Sequence, residues 1–441
     1  MNNIKIKTKV GSLLNVIPYS IVPGVGAIYM KSKNDISYYE NSTIEERQRY
    51  IFKRMYEIVQ YAIDNIPFYK KLYKEKDFSL KSLKCFDDIN KIPIVTKKDL
   101  MGTSLDLRSR KVKMCYIANT GGSTGVPLSF YKTRTQQIKE MAYYHNAWSR
   151  FGYCKSDIRL QFVGRADSRE LDYDITRNRL MANIYMPFDK MLDDLSKIGS
   201  RVRYLQGYPS VLYDFVSFLE NNQDLFIKSG LKDNIKGVFL NSEYPYPIFR
   251  KKIGDILKCN TLASYGHTEG CILAFDFGNN IYEVNQSYGY AEAKVINGEM
   301  HLIGTSYDNF SSPFIRYDSG DVIDNAIVEN DILKSFKMTE GGRSGQFIYD
   351  RTGKRISLTG LIFGKHHKLF NYCSQMQISQ RENGQATVYY VAPNDCLQGK
   401  MPSELFDSSD IDISFDFVRI DDPIRTKSGK VLLLVKEKMD N

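Results

Sequence analysis

The run Thr120-Gly121-Gly122-Ser123-Thr124-Gly125-Val126-Pro127 directly follows a strand-like stretch from Lys113 to Ala118. Glycines at 121, 122 and 125 open backbone torsions closed to other residues, so consecutive amides can turn toward one anion. Thr120, Ser123 and Thr124 add hydroxyl donors, and the chemistry this composition suits is the cradling of phosphate. Two better-known phosphate loops do not fit. The pattern Gly, four residues, Gly, Lys, Ser or Thr fails because Gly125 is followed by Val126 and Gly429-Lys430 by Val431. The dinucleotide fingerprint fails at Gly24-Val25-Gly26, where residue 29 is Tyr and no strong strand precedes.

Four later segments carry further polar chemistry in a fixed order: Tyr265-Gly266-His267-Thr268-Glu269, Arg316 to Asp321, Gly342-Arg343, and Arg425 to Lys430. With Thr120 to Pro127 they resemble the motif series of the adenylate-forming superfamily of acyl-CoA synthetases, peptide-synthetase adenylation domains and luciferases. Residues 62–73, 89–100 and 205–220 resemble the CapK and phenylacetate-CoA ligase group, and the resemblance runs from about residue 44 to the end.

That resemblance implies a role for each motif. Thr120, Gly121, Gly122, Ser123, Thr124 and Gly125 would hold the β and γ phosphates of ATP. Val126 stands where many relatives have lysine. Glu269 would bind Mg²⁺, which prefers hard oxygen ligands. Tyr265 would stack on adenine, Gly266 would let the backbone pass close to the nucleotide, and Thr268 would contact the α phosphate. Ser242 and Glu243 would lie along the adenine edge. Asp321 would accept both ribose hydroxyls, while Arg316 and Asp318 would tie the strand together. Arg343 would reach ribose from the start of a C-terminal lid, although Gly345 stands where relatives carry Asp or Lys at the pivot. Lys430 would bridge carboxylate and α phosphate, offsetting the charge that builds in the transition state. Tyr143, Tyr144, His145 and Trp148, on the helix after the phosphate loop, would line the acid pocket together with His267; the competing expectation for that helix is packed core.

Composition bounds these expectations. A chain of 441 residues exceeds one compact core, so two domains are expected. The net charge of +10 is spread without a run of five basic residues, which argues against nucleic acid and suits ATP, pyrophosphate and CoA. The seven cysteines are scattered without a Cys-x-x-Cys pair, and the five histidines lack metal spacing. Zinc and a disulfide frame are therefore not expected, and a reducing, cytoplasmic compartment is. Residues 12–30 are apolar and follow Lys5, Lys7 and Lys9, but Pro18, Pro23, Gly24 and Gly26 interrupt them. No transmembrane segment is expected there; the stretch reads as folded over the core, with peripheral membrane contact as the alternative.

The elements that must position the motifs follow from periodicity. Helical spacing runs from Glu45 to Ile66 and stops before Pro67. Strand-like runs at Ile158 to Val163, Gly237 to Leu240 and Thr261 to Ser264 alternate with helical stretches at Gln136 to Arg150, Ser210 to Glu220 and Tyr246 to Leu257, an α/β layered pattern. From Ile281 to Thr305 the pattern turns to strands, with Asn297-Gly298 as a hairpin turn, predicting a β subdomain. The expected architecture is a large N-terminal adenylate-forming core over 1–342 and a small mobile α+β lid over 343–441, hinged near glycines 341, 342 and 345.

The activity implied is an ATP-dependent carboxylate ligase making an acyl-adenylate and pyrophosphate, then passing the acyl group to CoA. CapK-like relatives, linked with capsule and surface-polysaccharide pathways, imply an amine or sugar acceptor instead. A nucleotide-binding pathway protein without turnover is the rival of another class.

Overall fold

A computed structural model describes residues 2–120, 128–163, 171–184, 186–338, 347–358, 361–362, 367–373, 375–397, 399–409, 411–425 and 431–435. A hairpin of β1 (Cys115–Asn119) and β2 (Ser129–Thr133) stands apart from the main sheet. That sheet contains β3 (Ile158–Val163), β4 (Asp172–Asp174), β5 (Arg179–Asn183), β6 (Val202–Gly207), β7 (Gly237–Asn241) and β8 (Asn260–Gly266). It continues through β9 (Leu273–Asp276), β10 (Tyr282–Val284), β11 (Gly289–Ile296), β12 (Glu299–Ser306), β13 (Tyr317–Glu329) and β14 (Ile332–Met338). The strand order is β11-β12-β13-β14-β10-β9-β8-β7-β6-β3-β5-β4. Strands β5, β3, β6, β7 and β8 run parallel. From β8 to β9 the pairing turns antiparallel, so the β subdomain is joined edge to edge with the parallel core.

Local sequence accounts for these elements. Parallel strands are covered on both faces and read as apolar runs: Val238, Phe239 and Leu240 of β7 are all buried. Asn297 and Gly298 take φ of 51° and 83°, the left-handed torsions that close a two-residue hairpin between β11 and β12. Helix α1 spans Asn2–Leu14, α2 Gly26–Asn41 and α3 Ile44–Asn65. In α3 the Thr43 hydroxyl and the Glu46 carboxylate cap each other's backbone amides, and Ile66 turns extended before Pro67. Its Ile51, Met55, Ile58, Val59 and Ala62 are buried; full burial of a large apolar side chain contributes about 1.5–3 kcal/mol.

The C-terminal region has its own sheet, Gln375–Glu382 antiparallel to Gln385–Val391 and the latter parallel to Ser414–Ile420. Ile348, Leu361, Ile378, Val388 and Leu433 form a second apolar cluster, completed by Tyr246 and Phe249 from the region of helix Pro247–Leu257. The glycines expected to hinge the two parts lie outside the described residues.

The apolar run 12–30 ends α1 and opens α2, and α2 packs on helix Arg134–Ser149, where Lys33 donates to Asn146 Oδ1 at 2.8 Å. Val22, Val25, Ile28 and Tyr29 are half-buried, but several other apolar side chains of the run face outward. Leu13, Leu14, Val16, Ile17, Ile21 and Met30 are exposed. No helix among the described residues is long and apolar enough to cross a membrane.

Candidate active site at the carboxyl ends of the parallel strands

In an open α/β sheet, ligands bind beyond the carboxyl ends of the strands, and β7 and β8 deliver their motifs there side by side. Asn241 at the end of β7 pairs with Ser264 on β8, so Ser242-Glu243 leaves the sheet beside Tyr265-Gly266, the last residues of β8, which stay paired with β9. Ser242 has φ of 70°, a left-handed turn that redirects the chain at the strand end. The chain turns again after β8, where the Gly270 amide donates to the His267 carbonyl at 2.9 Å and Gly270 takes φ of 70°.

Asp321 arrives from β13 and is buried. Tyr265 donates its hydroxyl to Asp321 Oδ2 at 2.6 Å, and its ring meets Phe336 edge-on at 5.5 Å. Beside it Glu269, also buried, lies with Oε2 3.2 Å from His267 Nδ1. The other ring nitrogen of His267 is buried without a hydrogen-bond partner among the described residues. Gly266 and Thr268 are exposed toward solvent. A Cβ on Gly266 would come 3.3 Å from Leu273 Cδ1, so even alanine is tight there.

The hairpin β1–β2 brings the phosphate-loop neck to this place. Thr120 donates its amide to the Leu128 carbonyl and accepts the Leu128 amide on Oγ1, both at 3.0 Å, which closes the loop's two ends. Lys132, on β2, donates to the Thr268 carbonyl at 3.1 Å and lies 3.5 Å from Glu140. It ties the hairpin to the strand-end motif and was not anticipated from sequence. The signal was available: β2 alternates, and Lys132 shares the buried phase with Phe130.

Arg316 and Asp318 hold the strand that carries Asp321. Arg316 forms a bidentate pair with Glu292 at 2.8 and 3.0 Å and donates to the Asn90 and Ile92 carbonyls. Asp318 pairs with His301 at 3.1 Å. Residues 89–95 are thereby fixed to β13, where Val95 bridges to Tyr317.

Glu243 and the C-terminal region meet. Glu243 Oε2 accepts the Ser210 amide at 3.2 Å and Oε1 accepts the Val431 amide at 2.7 Å, so the carboxylate joins the start of helix Pro209–Asn221 to the residue after Lys430. Burial pushes the Glu243 carboxyl up, against those hydrogen bonds. Nearby, Gln375 donates to both oxygens of Asp214 at 2.7 Å, with Arg425 4.0 Å away; burial pushes Asp214 up to about 7. The pairs Gln375–Asp214 and Val431–Glu243 join residues 161 and 188 positions apart, which periodicity cannot disclose.

The aromatic helix goes elsewhere. Tyr143 is buried and donates to Ser287 Oγ at 3.0 Å. His145 Nδ1 is 3.1 Å from the Tyr29 hydroxyl, with Tyr19 stacked at 5.6 Å, and burial pushes its pKa down to about 3, which keeps it neutral. Trp148 stacks on Phe239 at 4.6 Å under the Arg159 guanidinium. These three side chains are ringed by core aromatics, so the structure gives no support to their lining an acid pocket. Tyr144 alone turns toward the site, donating to Ser264 Oγ at 3.3 Å. Gly121, Gly122, Ser123, Thr124, Gly125, Arg343 and Lys430 lie outside the described residues.

The frame of parallel strands with an antiparallel extension and a separate C-terminal sheet is the adenylate-forming ligase fold. It matches 2-hydroxyisobutyryl-CoA ligase in the postadenylation state in complex with R3-HIB-AMP, at a TM-score of 0.66 and 15% identity over 90% of each chain. The acyl acid amido synthetase AtGH3.15 in complex with 2,4-DB matches at a TM-score of 0.58 and 12% identity, over 89% of this chain and 90% of that one. In sequence the chain is similar to Protein CapK of Staphylococcus aureus, 24% identical over 401 residues, covering 86% of this chain and 87% of that protein. No family model matches the chain. The resemblance to the adenylate-forming superfamily and its CapK group, first carried by five motifs, thus extends to the whole fold.

Proposed function

We propose that this protein is an adenylate-forming acyl ligase that joins a carboxylic acid to ATP and then passes the acyl group to coenzyme A. In the first half-reaction a carboxylate oxygen attacks the α phosphorus, the bond to the β phosphate breaks, and pyrophosphate leaves. In the second, the CoA thiol gives its proton to solvent and its sulfur adds to the acyl carbon, and AMP leaves with the oxygen that joined it. What chiefly supports this reading is the Val431 amide on Glu243 at 2.7 Å, because it brings the residue next to Lys430 to the strand end that also carries Tyr265 and Glu269.

In this reading the loop from Thr120 to Gly125 wraps the β and γ phosphates, Asp321 accepts the ribose hydroxyls, and Tyr265 flanks adenine while orienting Asp321. Thr268 faces the α phosphate, and Arg343 reaches ribose from the lid. Ser242 lies along the adenine edge, whereas Glu243 anchors the C-terminal segment through the Val431 amide. Lys430 neutralises the forming mixed anhydride, a cation acting where water is excluded. Glu269 is the residue to hold Mg²⁺. It offers one buried carboxylate, and no group of three or more His, Cys, Asp or Glu among the described residues is placed to hold a metal, so phosphate oxygens and water would complete the shell. When bound, the ion would offset phosphate charge.

A second reading is transfer to an amine, which the likeness to an acyl acid amido synthetase supports, or to a sugar hydroxyl in surface-polysaccharide synthesis, as the motif resemblance to the CapK group implies. Carboxylate-dependent exchange of labelled pyrophosphate into ATP, run across aryl, fatty, hydroxy, amino and uronic acids, tests the step common to both. One acid should drive exchange, and Lys430→Ala should abolish it while ATP binding persists. Undiminished exchange in Lys430→Ala would refute the role of that lysine. Presenting the active acid with CoA, amines and sugars then separates the two acceptors.

A further inference from the structure

Helix α1 is docked by its polar side. Thr8, Gly11 and Asn15 recur at helical spacing and are buried. Arg201 donates to Thr8 Oγ1 and to Ser12 Oγ, both at 3.0 Å, and Asn15 Nδ2 donates to the Ile175 carbonyl at 2.7 Å. Gly11 sits so close to the body that a Cβ there would fall 1.8 Å from the Tyr173 hydroxyl. On the opposite side Ile6, Val10, Leu13 and Leu14, spaced i, i+4, i+7 and i+8, are 62, 44, 73 and 47% exposed. Exposed Val16, Ile17 and Ile21 extend the apolar side chains into the following loop. A surface helix ordinarily buries its apolar stripe and wets its polar one; α1 is turned the other way round. Single exposed leucines need no explanation, but a continuous stripe does.

Charge identifies what would cover it. Lys5, Lys7 and Lys9 are exposed, and at about 100° per residue Lys5 and Lys9 border the stripe on the Leu13 side while Lys7 borders it on the Leu14 side. Residues 1–34 hold five lysines, with Lys31 and Lys33, and no acidic residue. An apolar stripe between two lysine borders fits a layer of anionic headgroups over hydrocarbon. A second copy of this chain fits it poorly, since a two-fold contact through α1 would set lysine against lysine.

We propose that α1 and the loop after it are a docking surface for an anionic lipid bilayer, with Ile6, Val10, Leu13 and Leu14 among the acyl chains and Lys5, Lys7 and Lys9 at the phosphates. The full chain is tested by co-sedimentation with vesicles of phosphatidylglycerol and phosphatidylcholine, against vesicles of phosphatidylcholine alone. Binding should require phosphatidylglycerol and weaken as salt rises. Leu13→Gln should lower the partition coefficient about tenfold or more, and Lys7→Gln about fivefold. Both side chains are exposed, so neither change should move the thermal midpoint. Should Leu13→Gln destabilise the fold, the triple variant Lys5→Gln, Lys7→Gln, Lys9→Gln gives the same test through charge alone. Equal binding to both vesicle types, unaltered binding by the variants, or no binding together with a dimer that Leu13→Gln dissociates would overturn the proposal.

Discussion

Two regions of this protein carry the same kinds of side chain to different ends. Helix Arg134–Ser149 presents Tyr143, His145 and Trp148, and the end of β8 with the turn after it presents Tyr265, His267 and Glu269. In the helix these side chains are closed into the core: Tyr143 donates to Ser287, His145 is enclosed by Tyr19, Tyr29 and Trp148, and Trp148 stacks on Phe239. At the strand end the backbone turns, Gly266 and Thr268 face solvent, and two carboxylates and a histidine nitrogen converge. Residue type does not make a site. A strand that ends at the sheet's carboxyl edge leaves its polar groups facing a crevice, whereas a helix packed onto the sheet turns its aromatics into the core.

The sharpest break of this comparison is Glu269→Ala. Pyrophosphate exchange should fall by about 10²–10³, the cost of losing one charge-stabilising group in a closed site, with little change in thermal midpoint. The mirror experiment is Trp148→Ala, which should destabilise the fold by about 3–5 kcal/mol in denaturant unfolding while the folded enzyme keeps its exchange rate. A Trp148→Ala enzyme that is stable and inactive would move the acid pocket back to the helix. Tyr265→Phe removes the hydroxyl that orients Asp321 and should raise KM for ATP about tenfold, the scale of one hydrogen bond to a charged group, leaving kcat nearly intact.

The smallest effect concerns His145 and pH. Its folded pKa is depressed to about 3 by burial, while the unfolded chain titrates near 6.5. Between those values the unfolded state binds the extra proton, so stability is complete above about pH 6.5 and declines as pH falls, by no more than about 1.4 kcal/mol per pH unit. His145→Gln should flatten this part of a thermal-midpoint profile, whatever it costs at neutral pH. An unchanged slope would mean that His145 is not held neutral by its surroundings.

Much of the scaffold was legible because its signals are local. β3 spans the residues its apolar run marked, α3 begins at a capping box and ends before a proline, and Asn297-Gly298 closes its hairpin. The strand-end placement of Tyr265 to Glu269 followed from a motif attached to a strand. What remained hidden depends on partners far away in sequence. Lys132 needs the Thr268 carbonyl 136 residues on, and Glu243 needs the Val431 amide 188 residues on. The inverted docking of α1 was hidden for the same reason. Its apolar spacing is plain, but only Arg201, Ile175 and Tyr173 reveal that the polar side was the one already taken.

In the proposed function nucleotide binds at the carboxyl ends of β7 and β8, away from the aromatic helix. Calorimetric titration of ATP into the wild type, Asp321→Ala and His145→Gln measures this directly. The account predicts an affinity at least about tenfold weaker for Asp321→Ala, two ribose hydrogen bonds being lost, and no change for His145→Gln. Equal affinity in wild type and Asp321→Ala, or a matching loss in His145→Gln, would contradict it.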